Sequence, residues 1–306
     1  MGIFLGGIPL VVNYYAGLFF AFVGGIGMGA QDTVCAVLFS VVAKENYAGA
    51  LSAGQVLFAL GNFSMPFLIG VLLAGNLPFF WSYYILLIVP VIMLICIPFV
   101  KVECSGAQEK EGQVVPLYAK NKLIVYGACF VICVTYFAVV NTFSIYTSSF
   151  AESIGISAST SAFMLTTYNI GCMVGSLVFT IVLKKVTEQT VLLVNNVLAL
   201  VVIIIALTIN AVGIYFVCWF IAGFFLGVLF SIVIAIATRI EYKRISRASA
   251  LVAIIGGGAE SLNPVVTGLL VKNSGVSISF TYAAILTAVC IIAAIILKMF
   301  TTEKEV

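Results

Sequence analysis

The chain has 306 residues, of which 63% are apolar and 8% charged, with a mean hydropathy of +1.25 and a net charge of +3. A soluble domain carries about 25% charged residues, so a globular enzyme is excluded and an all-α polytopic membrane protein is indicated. Histidine is absent, which removes the commonest metal ligand and the usual base that activates Ser or Cys, so no enzyme activity, metal or cofactor is expected. The basic residues are scattered over short loops, so no nucleic-acid partner is expected either; the lipid bilayer is the expected surrounding. Of eight cysteines only Cys104 sits in a polar loop, and Cys129 and Cys133 lack the spacing of a redox pair.

A bilayer-crossing helix needs about 20 apolar residues, and ten apolar spans follow one another along the chain. Span 1, residues 1–12, is too short to cross; it has neither a basic start nor a cleavage site, so no cleavable signal peptide is expected there. Spans 2 to 4 cover about 15–43, 49–74 and 79–100. A polar loop with four lysines and three glutamates runs from Lys101 to Lys122. Spans 5 to 10 cover about 122–147, 158–183, 191–209, 212–237, 248–271 and 277–298. The expected domains are an incomplete N-terminal bundle (1–100), a central loop (101–121), a six-helix C-terminal bundle (122–299) and a tail (300–306).

One set of alternate loops, with the C-terminal end, holds thirteen of the fourteen lysines and arginines; the other set holds only Lys272. By the positive-inside rule the first set is cytoplasmic. That predicts a plasma-membrane protein whose C-terminus is cytoplasmic.

The two halves echo one another. Gly25 and Gly29 recur 198 residues later as Gly223 and Gly227, and the same offset carries Pro66 onto Pro264 and Gly70 onto Gly268. Four matches at one offset indicate a duplicated unit, and the eight residues are read as helix-packing positions. The offset leaves residues 122–198 without a first-half counterpart. Two spans and part of a third are thus expected upstream of Met1, and the 306 residues alone are not expected to transport.

A six-plus-six plan around a central loop resembles the major facilitator superfamily, over the whole chain read as that family's third (partial) to twelfth helices. Gly25 to Thr33 looks like the fourth helix with its alternating glycines. Gly61, Pro66 and Gly70 resemble the glycine-proline motif of the fifth helix in proton-coupled exporters, with Met65 and Ile69 replacing two of its glycines. Leu183 to Glu188 is similar to the second-half basic loop motif, with Thr187 in place of its glycine. The resemblance implies an MFS-like two-bundle fold of about nine full helices plus one partial, a monomer, and secondary transport by rocking of the halves. It also implies that spans 2, 5 and 8 line the substrate path.

Two acids lie deep in the apolar spans, Asp32 and Glu260. They stand 12 and 13 residues from Lys44 and Arg247, which places them near mid-depth at 1.5 Å per residue. Asp32 shares a helix face with Gly25 and Gly29; Gly256, Glu260 and Asn263 form a similar face on span 9. Under the repeat Glu260 corresponds to Asn62. No lysine or arginine lies inside a span, so both acids are expected to face the bundle interior and to handle a proton or Na+ during transport. Gln31, Tyr136, Asn141, Tyr146, Thr167, Tyr168, Asn169, Trp219 and Ser231 are further candidates for a cavity wall or for helix-helix hydrogen bonds. Gly25-x-Gly27-x-x-Ala30 fits a dinucleotide fingerprint in letters alone, since no strand precedes it. The run Gly256-Gly257-Gly258 with Pro264 is expected to loosen or break span 9.

The expected function is therefore coupled transport of a small solute, and the aromatic and amide side chains suggest uptake of a sugar-like or other polar one. A ten-helix carrier of the drug/metabolite type is the alternative, but it would divide five and five. A truncated, non-transporting product is a third reading.

Overall fold

The structure, a computed structural model, describes residues 2–42, 47–78, 80–96, 99, 117–183, 185–209, 211–241 and 245–303; the side chains of 29–42, 47–59, 180, 245, 246, 249, 302 and 303 lie outside the described set. Most of the central loop is likewise outside it. The chain forms two compact units, Met1–Lys110 and Glu111–Val306.

In the first unit α1 (Gly2–Gly7) ends in a 3-10 turn at Ile8–Leu10 and is followed by α2 (Tyr14–Val42), α3 (Tyr47–Ala74) and α4 (Trp81–Cys96). Span 1 is thus one short helix held between α2 and α4. Two glycines let it approach closely: a Cβ on Gly24 would fall 2.7 Å from the Phe4 ring, and one on Gly7 2.2 Å from Phe20. Phe4 also meets Tyr83 edge-to-face at 6.3 Å.

The second unit runs α5 (Lys122–Ser153), α6 (Ala158–Val182), α7 (Glu188–Thr208), α8 (Val212–Leu226), α9 (Leu229–Ile240), α10 (Ile245–Ser274) and α11 (Ile278–Phe300). Counting α8 and α9 as one span, six helices here are long and apolar enough to cross a membrane, so the chain is an integral membrane protein. The nine full crossings expected from sequence are met by these six among the described residues. In the first unit the described apolar stretches Tyr14–Met28 and Leu60–Ala74 are parts of the longer helices α2 (29 residues) and α3 (28 residues), and α4 has 16 residues. Turn chemistry sets the ends. Asn121 caps α5 by accepting from the amides of Leu123 (3.1 Å) and Ile124 (3.4 Å), and Ser157 accepts from the Thr160 amide to cap α6. Gly155 (φ +86°) and Gly275 (φ +80°) close the turns before α6 and α11 in the left-handed region. Strand β1 (Leu117–Ala119) pairs antiparallel with β2 (Thr301–Glu303), tying the segment before α5 to the end of α11.

Four glycines draw α6 and α8 together. A Cβ on Gly171 would lie 2.2 Å from the Phe220 carbonyl oxygen, on Gly175 2.0 Å from that of Phe224, and on Gly223 2.1 Å from that of Tyr168. On Gly227 it would lie 2.5 Å from the Cys172 Cα. Each helix offers a four-residue glycine pair to the other's backbone, the close-approach geometry of small residues in membrane helices. Gly25 and Gly268, the repeat mates expected to pack likewise, have no neighbour within 4 Å of a would-be Cβ among the described residues. Pro66 and Gly70 are buried in α3, Pro264 is half-buried, and the Gly29 position lies outside the described side chains.

The expected break in span 9 is absent: α10 is continuous from Ile245 to Ser274 with Pro264 inside it. Hydroxyls reinforce its turns, Ser261 Oγ donating to the Gly257 carbonyl (2.7 Å) and Thr267 Oγ1 to that of Asn263 (2.7 Å). The interruption falls in span 8 instead, at Gly227 and Val228 between α8 and α9. There Asn195 of α7 donates from Nδ2 to the Phe225 carbonyl at 3.1 Å. An amide side chain thus takes the place of a ladder donor where the backbone would otherwise be unsatisfied in an apolar layer.

Candidate functional site

Helices α5 and α10 both begin at the end of the second unit that carries most of its basic residues, and they run parallel. Going up from that end, Cys133 Sγ approaches the Val252 carbonyl (3.8 Å) and Phe137 lies beneath Gly256, where a Cβ would fall 2.5 Å from its ring. Next, Asn263 Nδ2 donates to Asn141 Oδ1 (2.9 Å) and Thr142 Oγ1 (3.0 Å), and the Thr267 and Tyr146 hydroxyls meet at 3.0 Å. The seam is shut along this stretch. Of the sequence candidates, Asn141, Tyr146 and Asn263 therefore come together here. The buried Oδ1 of Asn263 has no partner among the described residues, and an unpaired buried acceptor costs about 1–3 kcal/mol.

Below Cys133 and Val252 the seam opens into a cavity of about 600 Å³ between α5, α9 and α10. Its walls are apolar, with Phe130, Ile236, Leu251 and Ile255 among them. Its polar side chains, Tyr126, Glu241 and Arg247, lie at the mouth, where the Tyr126 hydroxyl donates to the Glu241 carboxylate. Arg239 of α9 pairs with Glu188 of α7 at the same end, and Lys298 of α11 donates to Thr190 (3.1 Å). Arg239 thus belongs to a helix, two residues beyond the sequence boundary of span 8, and its charge is paired there.

At the opposite end an aromatic cluster fills the core. Trp219 stacks on Phe150 (5.6 Å, 9°) and meets Phe143, Tyr215 and Phe280 edge-on, while its Nε1 donates to Thr147 Oγ1 at 2.7 Å. Tyr168 stacks on Phe143 at 4.9 Å, and its buried hydroxyl has no hydrogen-bond partner among the described residues. Trp219 and Tyr168, read as cavity candidates, are core residues in this conformation. Tyr136 is buried between Phe137 and the backbone at Phe230, whereas Thr167 and Asn169 are half-buried on α6.

The two acids fall differently from expectation. Glu260 is exposed, on the side of α10 that carries Gly257, Ser261 and Leu262, and not on the face of Gly256 and Asn263 that meets α5. At 100° per residue it sits a full turn above Gly256, but the packed stripe follows Val252, Gly256, Ala259 and Asn263 and leaves it aside. Asp32 and Gln31 lie on α2 with side chains outside the described set, and Asn62 is exposed on α3. Sequence reasoning missed Asn195, Gly171 and Gly175. The glycine pair was legible in spacing; nothing in the sequence told which Asn would face the helix break.

Residues 128–306, more than half of the chain, match the family model of the Major Facilitator Superfamily. The chain is also 24% identical over 292 residues to a Bacillus subtilis (strain 168) protein named "Uncharacterized MFS-type transporter YfkL", a match covering 92% of this chain and 73% of the relative.

Proposed function

Because the chain belongs to the Major Facilitator Superfamily, whose members are secondary transporters of small molecules across a membrane, we propose that it works by alternating access and is coupled to H+ or Na+. The observation that carries this is the asymmetry of the second unit: the α5–α10 seam is open toward the basic end and closed by hydrogen bonds and aromatic packing toward the other. Half of a rocking carrier has that form when its cavity faces one side of the membrane. By the lysine and arginine bias that side is the cytoplasm.

Asp32 and Glu260 are the coupling residues in this reading. An acid on a membrane helix is a functional candidate by default, and Glu260 lies one turn from the buried amide of Asn263 without being locked into its hydrogen bonds. The test is reconstitution in proteoliposomes under an inward pH or Na+ gradient, with a panel of labelled small solutes. Asp32→Asn is expected to abolish gradient-driven accumulation, by tenfold or more, while gradient-free exchange of the same solute persists. Glu260→Gln is expected to change the pH profile of transport. Accumulation by Asp32→Asn at the normal level would remove Asp32 from the coupling path, and an unaltered profile for Glu260→Gln would leave that residue without a coupling role.

A further inference from the structure

We propose that the cavity between α5, α9 and α10 takes a hydrophobic organic anion, a single-chain amphiphile with a carboxylate-like head, as the cargo of this transporter. The inference rests on the transport reading above and supplies its substrate class.

Size and chemistry both point to such a molecule. A space of about 600 Å³ falls within the usual range for small-molecule sites. Below the mouth its walls offer aliphatic and aromatic carbon with only the weakly polar Cys129 and Cys133. A sugar placed there would leave several hydroxyls without partners, at about 1–3 kcal/mol each. Of the amides from which a polar solute was expected, Asn141 and Asn263 are engaged with each other above the cavity. An alkyl or aryl body, in contrast, exchanges water for the side chains of Phe130, Ile236, Leu251 and Ile255.

The head group is read from the mouth. The Glu241 carboxylate already accepts from Tyr126, and the negative end of α9 is faced by Arg239 in its last turn. Arg247 has no hydrogen-bond or ion-pair partner among the described residues and stands in the first turn of α10, where free amides and the helix dipole also favour an anion. An anion entering head last would leave its charge beside these groups and its body among the apolar walls.

The experiment uses the full chain in lipid nanodiscs, without detergent to compete, and two fluorescent probes with one body. These are dansylaminoundecanoic acid and the matching dansylaminoundecyl-trimethylammonium. Saturable binding of the acid, about tenfold tighter than of the cation, is expected above the linear partitioning seen in empty nanodiscs. Arg247→Gln should bring the two affinities within about threefold of each other, and Arg247→Lys should restore the preference. Leu251→Trp, at a half-exposed position that tolerates bulk, and Ala248→Phe, deeper in the wall, should each weaken both probes at least fivefold. Equal affinities in the unaltered protein, a preference for the cation, or indifference to both filling substitutions would overturn the proposal. Binding is read without a gradient. Saturable binding without gradient-driven movement would therefore count against the transport reading alone, and transport of another solute without probe binding against this inference alone.

Discussion

Replacing Gly175 by alanine is expected to destabilise the second unit by about 3 kcal/mol, the upper range for overpacking by one methyl group. Helix propensity argues the other way, since alanine in a helix interior is favoured over glycine by about 0.5–1 kcal/mol. The sign is decided by what the methyl meets. A Cβ at Gly175 would stand 2.0 Å from the Phe224 carbonyl oxygen, and a backbone atom cannot rotate away as the tip of a side chain can. α6 and α8 must then separate by more than 1 Å along a contact held by dispersion, and a gap of that size forfeits a quarter to a half of the attraction. Gly257→Ala and Gly258→Ala, which face open space, are the controls and should be neutral or slightly stabilising. Gly223→Ala should cost nearly as much as Gly175→Ala, and the double substitution much less than the sum, because the first has already parted the helices. Thermal unfolding in detergent measures all of these. A Gly175→Ala protein as stable as its parent would mean that α6 and α8 do not meet here.

Trp219→Ala should cost about 3–5 kcal/mol. The indole is 2% exposed, lies against Phe143, Phe150, Tyr215 and Phe280, and donates to Thr147. In a bilayer the unfolded reference is itself apolar, so the loss is chiefly of packing contacts and not of burial from water. It should therefore fall at the lower end of that range. Trp219→Phe keeps most of the packing and loses the hydrogen bond, for about 1 kcal/mol. Thr147→Val should cost about the same, with little added in the double mutant. A Trp219→Ala protein that melts within a degree of its parent would show that the closed end of the bundle is not held by this cluster.

Span limits in the second unit were legible in the sequence because lipid imposes one rule on the backbone: about 20 apolar residues must satisfy their own amides. Residues 122–147, 158–183 and 277–298 became helices 122–153, 158–182 and 278–300, differing where polar residues continue a helix past the hydrocarbon. The repeat likewise led to Gly223 and Gly227, since spacing survives in the letters. Rotation of each helix about its axis was not legible. A soluble helix announces its buried face by the contrast between apolar and polar sides, but a membrane helix is apolar on both. Only tertiary packing decided that Glu260 stays exposed while Asn263 pairs with Asn141, and that Gly171 and Gly175 answer Gly223 and Gly227. It also decided that span 8 breaks where Asn195 reaches its backbone, while α10 carries its glycine run and Pro264 unbroken. The cavity shares that origin: it exists because α5 and α10 touch from Cys133 upward and diverge below it, a property of two helices that neither one carries alone.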